Sequence, residues 1–252
     1  TGSTNDDLRR YAQAGAAEGL VLSTDEQTQG RGRRGRVWLA PPASSILASM
    51  LFRPAWLPPS EAFYLTMLAG VAVAEAVEEV VAPLVATNTN TATAKARSLV
   101  GLKWPNDLQA GGLKFGGILA ETELAGEEIR WAIIGIGLNV DWSPASVPEL
   151  AGIATSLSDV AGGPVPRSEL FAALLRRVDS WYARLRLGAR QELFDTWRWR
   201  LSMLGREVRA EVVGQMIEGV AEDVTAAGAL VVRDSTGRRH ELSAGEVTVR
   251  NR

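Results

Sequence analysis

The sequence predicts a chain in two parts, a larger one that mixes helices with strands up to about Leu204 and a small all-β barrel after it. Three observations carry this. Apolar residues in Arg167–Leu187 (Leu170, Phe171, Leu174, Leu175, Val178, Trp181, Tyr182, Leu185) follow a 3.6-residue period. Ser45–Phe52, Phe115–Leu124 and Ile129–Ile136 are apolar and strand-like. From Gly205 short alternating segments appear at Glu207–Val213, Gly219–Val224, Leu230–Arg233 and Val247–Arg250, punctuated by Gly214, Gly228, Gly237 and Gly245. That is the texture of a barrel of roughly 45 to 50 residues, at the low end for a self-standing core. The expected units are 1–203 and 204–252.

Along the chain, Ser3 or Thr4 caps a first helix with Asp6 and Asp7 in its first turn and Gly15 as its stop. Gly19–Thr24 reads as a short buried strand. Strand Ser45–Phe52 ends at Pro54, Pro58 and Pro59, and Ser60 caps a long helix to about Ala82. Ala86–Ser98, rich in Thr, Asn and Ala, has no period and reads as a flexible surface loop without chemistry. Leu99–Leu102 is a strand, and Gly111-Gly112 marks a hairpin turn. Asp141–Gly152 is expected to be a mobile loop, and Gln191–Leu201 a second, Trp-rich helix.

Composition narrows the chemistry. With 252 residues, 46% hydrophobic and 22% charged, the chain has the make-up of an ordinary globular protein. It contains no cysteine, which excludes disulfides, thiolate metal sites and cysteine nucleophiles and suits a reducing cytoplasm. A single histidine, His240, excludes a His-based triad and a multi-histidine zinc site. The most apolar stretch, Phe63–Ala82, carries Glu75, Glu78 and Glu79, which argues against a membrane helix. No secretory signal is visible at the start, and the absence of an initiator methionine leaves room for residues upstream.

Chemistry concentrates in four segments. Gly30-Arg31-Gly32-Arg33-Arg34-Gly35-Arg36-Val37-Trp38 sets four arginines among glycines. Three glycines in six residues would cost a helix about 3 kcal/mol, so this is a loop, and its forked donors suit carboxylate and phosphate oxygens. A formal net charge of −2 leaves no broad basic face for a nucleic-acid backbone. The local positive charge therefore fits a small anion. In Lys103-Trp104-Pro105-Asn106-Asp107 the proline is expected to extend Trp104, taking Lys103 and Trp104 out of the sheet, with Asn106-Asp107 starting a turn. Lys114-Phe115-Gly116-Gly117 opens the next strand, its glycines inviting close approach. Gly135-Ile136-Gly137-Leu138-Asn139 closes another with an amide that both donates and accepts.

Taken together, Ser3-Thr4-Asn5, Gln27, GRGRRGR from Gly30, KWPNDL from Lys103, KFGGILAE from Lys114 and GIGLNV from Gly135 resemble the biotin–protein ligase (biotin–[acetyl-CoA-carboxylase] ligase) family over nearly the whole chain. The resemblance implies an α+β fold, a mixed β-sheet catalytic domain flanked by helices and followed by a small SH3-like β-barrel. It implies a two-step ligase: biotin and ATP give biotinyl-5′-AMP, and the biotin then passes to a lysine of a biotin carboxyl carrier protein or the carrier domain of a biotin-dependent carboxylase. Mg2+ is the implied ion, without assignable ligands. By the same resemblance Lys114, Arg31, Arg33 and Lys103 are catalytic. Ser3, Thr4, Asn5, Gln27, Arg31, Gly32, Arg33, Lys114 and Gly117 bind biotin, and Arg33, Arg36, Trp38, Lys103 and Asn139 serve ATP. Phe115-Gly116 departs from the Leu-Ala of many members. The winged helix that precedes some members is absent, so repressor activity is not expected. No nucleic acid and no membrane are implied as partners, and a homodimer is left open. A lipoate ligase is the nearest rival, and the arginine loop speaks against it. A nucleic-acid module is the rival from another class.

Overall fold

A computed structural model describes residues 1–89, 98–212, 215–243 and 245–249. The first helix, α1 (Thr4–Gln13), starts after Ser3 and ends before Gly15, whose φ is +90°. Then come β1 (Val21–Thr24), β2 (Ser45–Phe52) and α2 (Phe63–Thr89). Four strands follow, β3 (Gly101–Lys103), β4 (Asp107–Ala110), β5 (Leu113–Ala125) and β6 (Glu128–Asn139), and then α3 (Leu157–Ala161), α4 (Arg167–Arg186) and α5 (Arg190–Trp199). The chain closes with β7 (Glu207–Val212), β8 (Gln215–Val224), β9 (Leu230–Arg233), β10 (Arg239–Leu242) and β11 (Glu246–Val249).

Strands β1 to β6 form one sheet in the order β1-β2-β6-β5-β4-β3, and β7 to β11 a second in the order β10-β9-β8-β7-β11. Every strand pairing in both is antiparallel. The first sheet, expected to be mixed, is antiparallel throughout; the two parallel bridges, Leu102 to Leu201 and Lys114 to Ala154, are isolated contacts with residues outside its strands. Residues on β6 alternate between two cores. Ile134, Ile136 and Leu138 join α2, α4 and α5 in the main core, while Ile133 and Trp131 meet Leu8 and Ala12 of α1 on the other face. The second face is only partly covered by α1, and the uncovered part carries the site.

Helix α2 explains its own sequence. It is apolar nearly all round because it is packed between the sheet and the helices α4 and α5. Its three carboxylates each meet an arginine: Glu79 with Arg176 and Arg177 (both 2.8 Å), Glu75 with Arg177 (3.4 Å), Glu78 with Arg200 (2.7 Å). Among the described residues no helix is long and apolar enough to cross a membrane.

Several local expectations are corrected. The strand expected over Gly19–Thr24 is a half-buried edge strand, because β1 has a neighbour on one side only. Ser60 lies in a single 3₁₀ turn, Pro59–Glu61, ahead of α2. Helix α2 runs through Pro83 to Thr89, carried past the proline by Val81, Leu84 and Val85, which pack on the core. The rest of the loop expected over Ala86–Ser98 lies at 90–97, outside the described residues, as do Val213, Gly214 and Arg250. Lys103 stays in the sheet, directly opposite Asp107 in the β3–β4 hairpin, and the chain turns back through the cis Trp104–Pro105 bond. Strands β4 and β10 and helix α3 had no sequence signal strong enough to be expected.

Candidate active site

A cavity of about 290 Å³ opens on the face of the first sheet beside α1. Its wall draws on Ser3–Asn5, Gln27, the arginine loop, Ala48 of β2, the Lys103–Asp107 turn, the start of β5, the end of β6, and Gly245–Thr248 of the second sheet. Ser3, Thr4, Asn5, Gln27, Arg31, Gly32, Arg33, Arg36, Trp38, Lys103, Lys114 and Gly117 all line it. Asn139 does not. It is 5% exposed and donates Nδ2 to the Thr155 carbonyl (3.1 Å), while its Oδ1 is buried without a protein partner.

Two glycines of β6 create the floor. A side chain at Gly135 would meet the Asn5 amide, and one at Gly137 would come within 2.8 Å of the Trp38 ring. The GIGLN run is therefore a flat strip on which Asn5 and Trp38 rest. The α1 end is tied down by a polar network. The Thr4 backbone N–H and hydroxyl both reach Gln27 Oε1 (2.8 and 3.1 Å), and Ser49 Oγ lies 2.7 Å from Thr4 Oγ1 and 2.6 Å from Asn5 Oδ1. Asn5 Nδ2 donates to Glu121 (3.0 Å). Ser49, a buried residue in an apolar strand, is a partner that sequence reading passes over.

The arginine loop has a defined shape. Gly32 N–H donates to Arg36 O (2.7 Å) and Trp38 N–H to Gly30 O (2.9 Å), around one 3₁₀ turn at Arg33–Gly35 in which Arg34 takes φ +57°. Its arginines are individually held. Arg31 pairs with Asp6 (2.7 Å) and Glu121 (3.2 Å). Arg33 donates to Asn106 Oδ1 (3.2 Å), and Asn106 in turn donates to the Ile118 carbonyl (2.6 Å). Arg36 pairs with Glu246, with Arg34 at 4.0 Å from the same carboxylate. Partial burial pulls the Arg33 guanidinium below its ordinary proton affinity, Arg34 and Arg36 add to this, and Asp107 opposes it. An anion in the cavity would relieve that burial cost.

Two lysines share one carboxylate. Lys114 Nζ lies 2.5 Å from Asp107 Oδ1 and Lys103 Nζ 3.7 Å from Asp107 Oδ2. The Lys114 ammonium also stands 5.7 Å from the Trp38 ring centroid. The lining as a whole sets six cationic side chains against two carboxylates, Asp107 and Glu246. A chain of slight negative charge thus has a strongly cationic cavity, the reverse of its surface balance. Both carboxylates are engaged with cations. Among the described residues no group of three or more His, Cys, Asp or Glu side chains could hold a metal, so the donor set does not fit a resident ion. No residue of 141–152 lines the cavity. That segment holds one 3₁₀ turn, Pro144–Ser146, and Ile153, the residue just after it, accepts the Lys114 N–H (3.0 Å).

Asp107, Asn106 and Glu246 are the functional candidates that sequence reading missed. The first two sat inside the KWPND motif but read as turn formers. Glu246 lies some two hundred residues from the loop it meets and carries no local signal.

A flat glycine floor, a cationic wall and a second small sheet closing one side define the class of the biotin/lipoate A/B protein ligases, whose family model matches residues 2–139. Residues 203–250 match the model for the biotin protein ligase C terminal domain. The biotin--[acetyl-CoA-carboxylase] ligase of Mycobacterium tuberculosis is 37% identical over 250 residues, covering 98% of this chain and 85% of that protein. The bifunctional ligase/repressor BirA of Bacillus subtilis is 31% identical over 243 residues, covering 96% of this chain and 70% of that one. Among solved structures, the biotin protein ligase from Aquifex aeolicus in complex with biotin and ATP matches with a TM-score of 0.76 at 27% identity, over 99% of this chain and 95% of that one. The chain belongs to the biotin protein ligase family.

Proposed function

We propose that the protein is an ATP-dependent biotin–protein ligase. It joins biotin to AMP with release of pyrophosphate, then transfers the biotinyl group to one lysine of a biotin carboxyl carrier protein or carrier domain. The observation that carries this reading is the cationic cavity on a glycine floor, built from all the motif segments at once. In the first step a carboxylate oxygen attacks the α-phosphorus of a triphosphate, and two anions must be brought together. Lys114, Lys103 and Arg33 offset that repulsion and stabilise the charge that builds at phosphorus. Arg31, fixed by Asp6 and Glu121, shapes the wall where the biotin carboxylate arrives, and Arg36 serves the phosphates. Thr4, Asn5 and Gln27 offer the paired donors and acceptors that a ureido ring needs and a dithiolane does not, with Ser3 beside them. Trp38 covers the junction between the two halves of the intermediate, and Gly32 and Gly117 leave room for it. Asn139, expected on the nucleotide side, acts behind the wall by holding the end of β6 to the Thr155 carbonyl. Magnesium enters as the counter-ion that ATP brings, not as a resident of the protein.

The chain divides at 203/204 in this reading, with a biotin- and ATP-binding catalytic unit ahead of an SH3-like unit, and acts in the cytoplasm. Biotin-dependent pyrophosphate release tests it. Biotin should drive release and lipoate should not; release driven equally by lipoate would move the protein to the sister class.

A further inference from the structure

The chain has 27 basic residues besides His240, and only three of them, Lys95, Lys103 and Lys114, are lysines. This bears directly on a protein whose proposed intermediate is a mixed anhydride. A lysine amine attacks the acyl carbon, an amide bond forms, the acyl C–O bond to AMP breaks, AMP leaves and the nitrogen's proton passes to solvent. An arginine guanidinium, always protonated, does not compete. Ion pairs that lysine could make are made here by arginine, from Arg9 and Arg31 on Glu121 to Arg200 on Glu78.

The two lysines that stand in the cavity, where the anhydride would form, are both tied to Asp107. Across the β3–β4 hairpin Asp107 is the register partner of Lys103, and Lys114 reaches it from the neighbouring strand β5. Lys114 donates to the carboxylate and Lys103 faces it as an ion pair, and an ammonium has no lone pair to attack with. Asp107 is 21% exposed in its side chain and lines the cavity, so this single carboxylate serves both amines at the place of danger.

We propose that Asp107 guards Lys103 and Lys114 against acylation by the enzyme's own biotinyl-adenylate, so that a chain otherwise almost without acceptor amines is refractory to self-biotinylation. The proposal rests on the ligase reading for the identity of the acylating agent, and on geometry alone for the shielding of the two amines.

The test uses Asp107→Asn, close to isosteric, with Asp107→Glu as the charge-restoring control. Each protein is treated in two arms without carrier: with ATP, magnesium and biotin, and with a dilute amine-selective acetylating reagent. Acylation is read lysine by lysine by peptide mass spectrometry, with Lys95 as the internal reference. The expected result is that Lys114 and Lys103 become acylated about tenfold faster or more in Asp107→Asn. Lys95 should be unchanged and Asp107→Glu should lie near wild type. Absence of biotin-dependent pyrophosphate release from the wild type would overturn the ligase reading and leave the acetylation arm to decide the shielding; a variant that still releases pyrophosphate with biotin yet gains no biotin on either lysine would overturn the guard. Equal acetylation of Lys114 and Lys103 in wild type and Asp107→Asn would overturn the guard, whatever the biotin arm shows. A rise at the two lysines that Asp107→Glu shows in full would also overturn it, since the carboxylate would then not be what shields them.

Discussion

Lys114 opens β5 with its ammonium against Asp107 and the Trp38 ring. It is part-exposed and closes no buried core, so Lys114→Ala should fold normally. It should lose biotin-dependent pyrophosphate release by roughly a hundredfold or more, because the lost cation faces charge that appears only on the way to the adenylate. Release at the wild-type rate would contradict that role. Arg33 poses a different question, since it is partly buried and donates to the neutral Asn106 amide, with Asp107 as the nearby negative charge. Arg33→Ala should weaken retention more than synthesis, raising escape of biotinyl-AMP about ten- to a hundredfold, the worth of one charge-assisted contact. Biotin incorporation into a bystander such as albumin measures the escape. If the variant makes adenylate yet labels albumin no more than wild type, Arg33 is not the retaining contact. At this scale most cavity residues were legible because they lie within motifs whose residue types announce a chemistry. Ser49 and Glu246 were not. A serine in an apolar strand and a glutamate at the start of the last strand acquire meaning only from what they face.

Elements show where local rules give way to packing. Proline at 83 should end α2, and it does not, because the following turn still has apolar surface to bury. Strand β4 hid behind Asn106-Asp107, which read as a turn; the turn lies one step earlier, at Trp104–Asn106, and Asp107 begins the strand. Helix α2 also carries the ion pair that fastens the end of α5 beneath β3. Glu78 accepts both terminal nitrogens of Arg200, which is 9% exposed, and Ser98 donates to the same carboxylate. Burial tends to raise the Glu78 proton affinity, but the bonds from Arg200 and Ser98 win, and its pKa falls below the usual 4.5. The pair therefore contributes its full stability above the unfolded value near that pH, and loses it as pH falls through the lower folded value. Glu78→Gln should cost about 3 kcal/mol at neutral pH, the usual penalty of stranding one partner of a buried pair. Its acid limb should be shallower than wild type's. Urea melts at pH 7 and pH 4 measure both, and parallel curves for the two proteins would refute the assignment.

At the scale of the whole molecule, the site depends on the second sheet as well as the first. Trp104, 1% exposed, donates its indole N–H to Gly228 O (2.8 Å), and Gly245–Thr248 complete the cavity wall. The two-part architecture was legible from the change of texture at Gly205, since alternation and glycine spacing are local. How the second part meets the first was not, because that contact joins residues far apart in sequence, Trp104 to Gly228, Arg36 to Glu246, Arg198 to Asp223 (2.6 Å), and one apolar cluster shared by both parts. The central claim is that this assembly activates biotin and hands it to a protein lysine. Mass spectrometry of a carboxylase carrier domain, incubated with the protein, ATP, magnesium and biotin, tests it most directly. The account predicts one biotin-sized increase, on a single lysine, that disappears when ATP is withheld. A carrier domain that stays unmodified, or is modified equally without ATP, would contradict it.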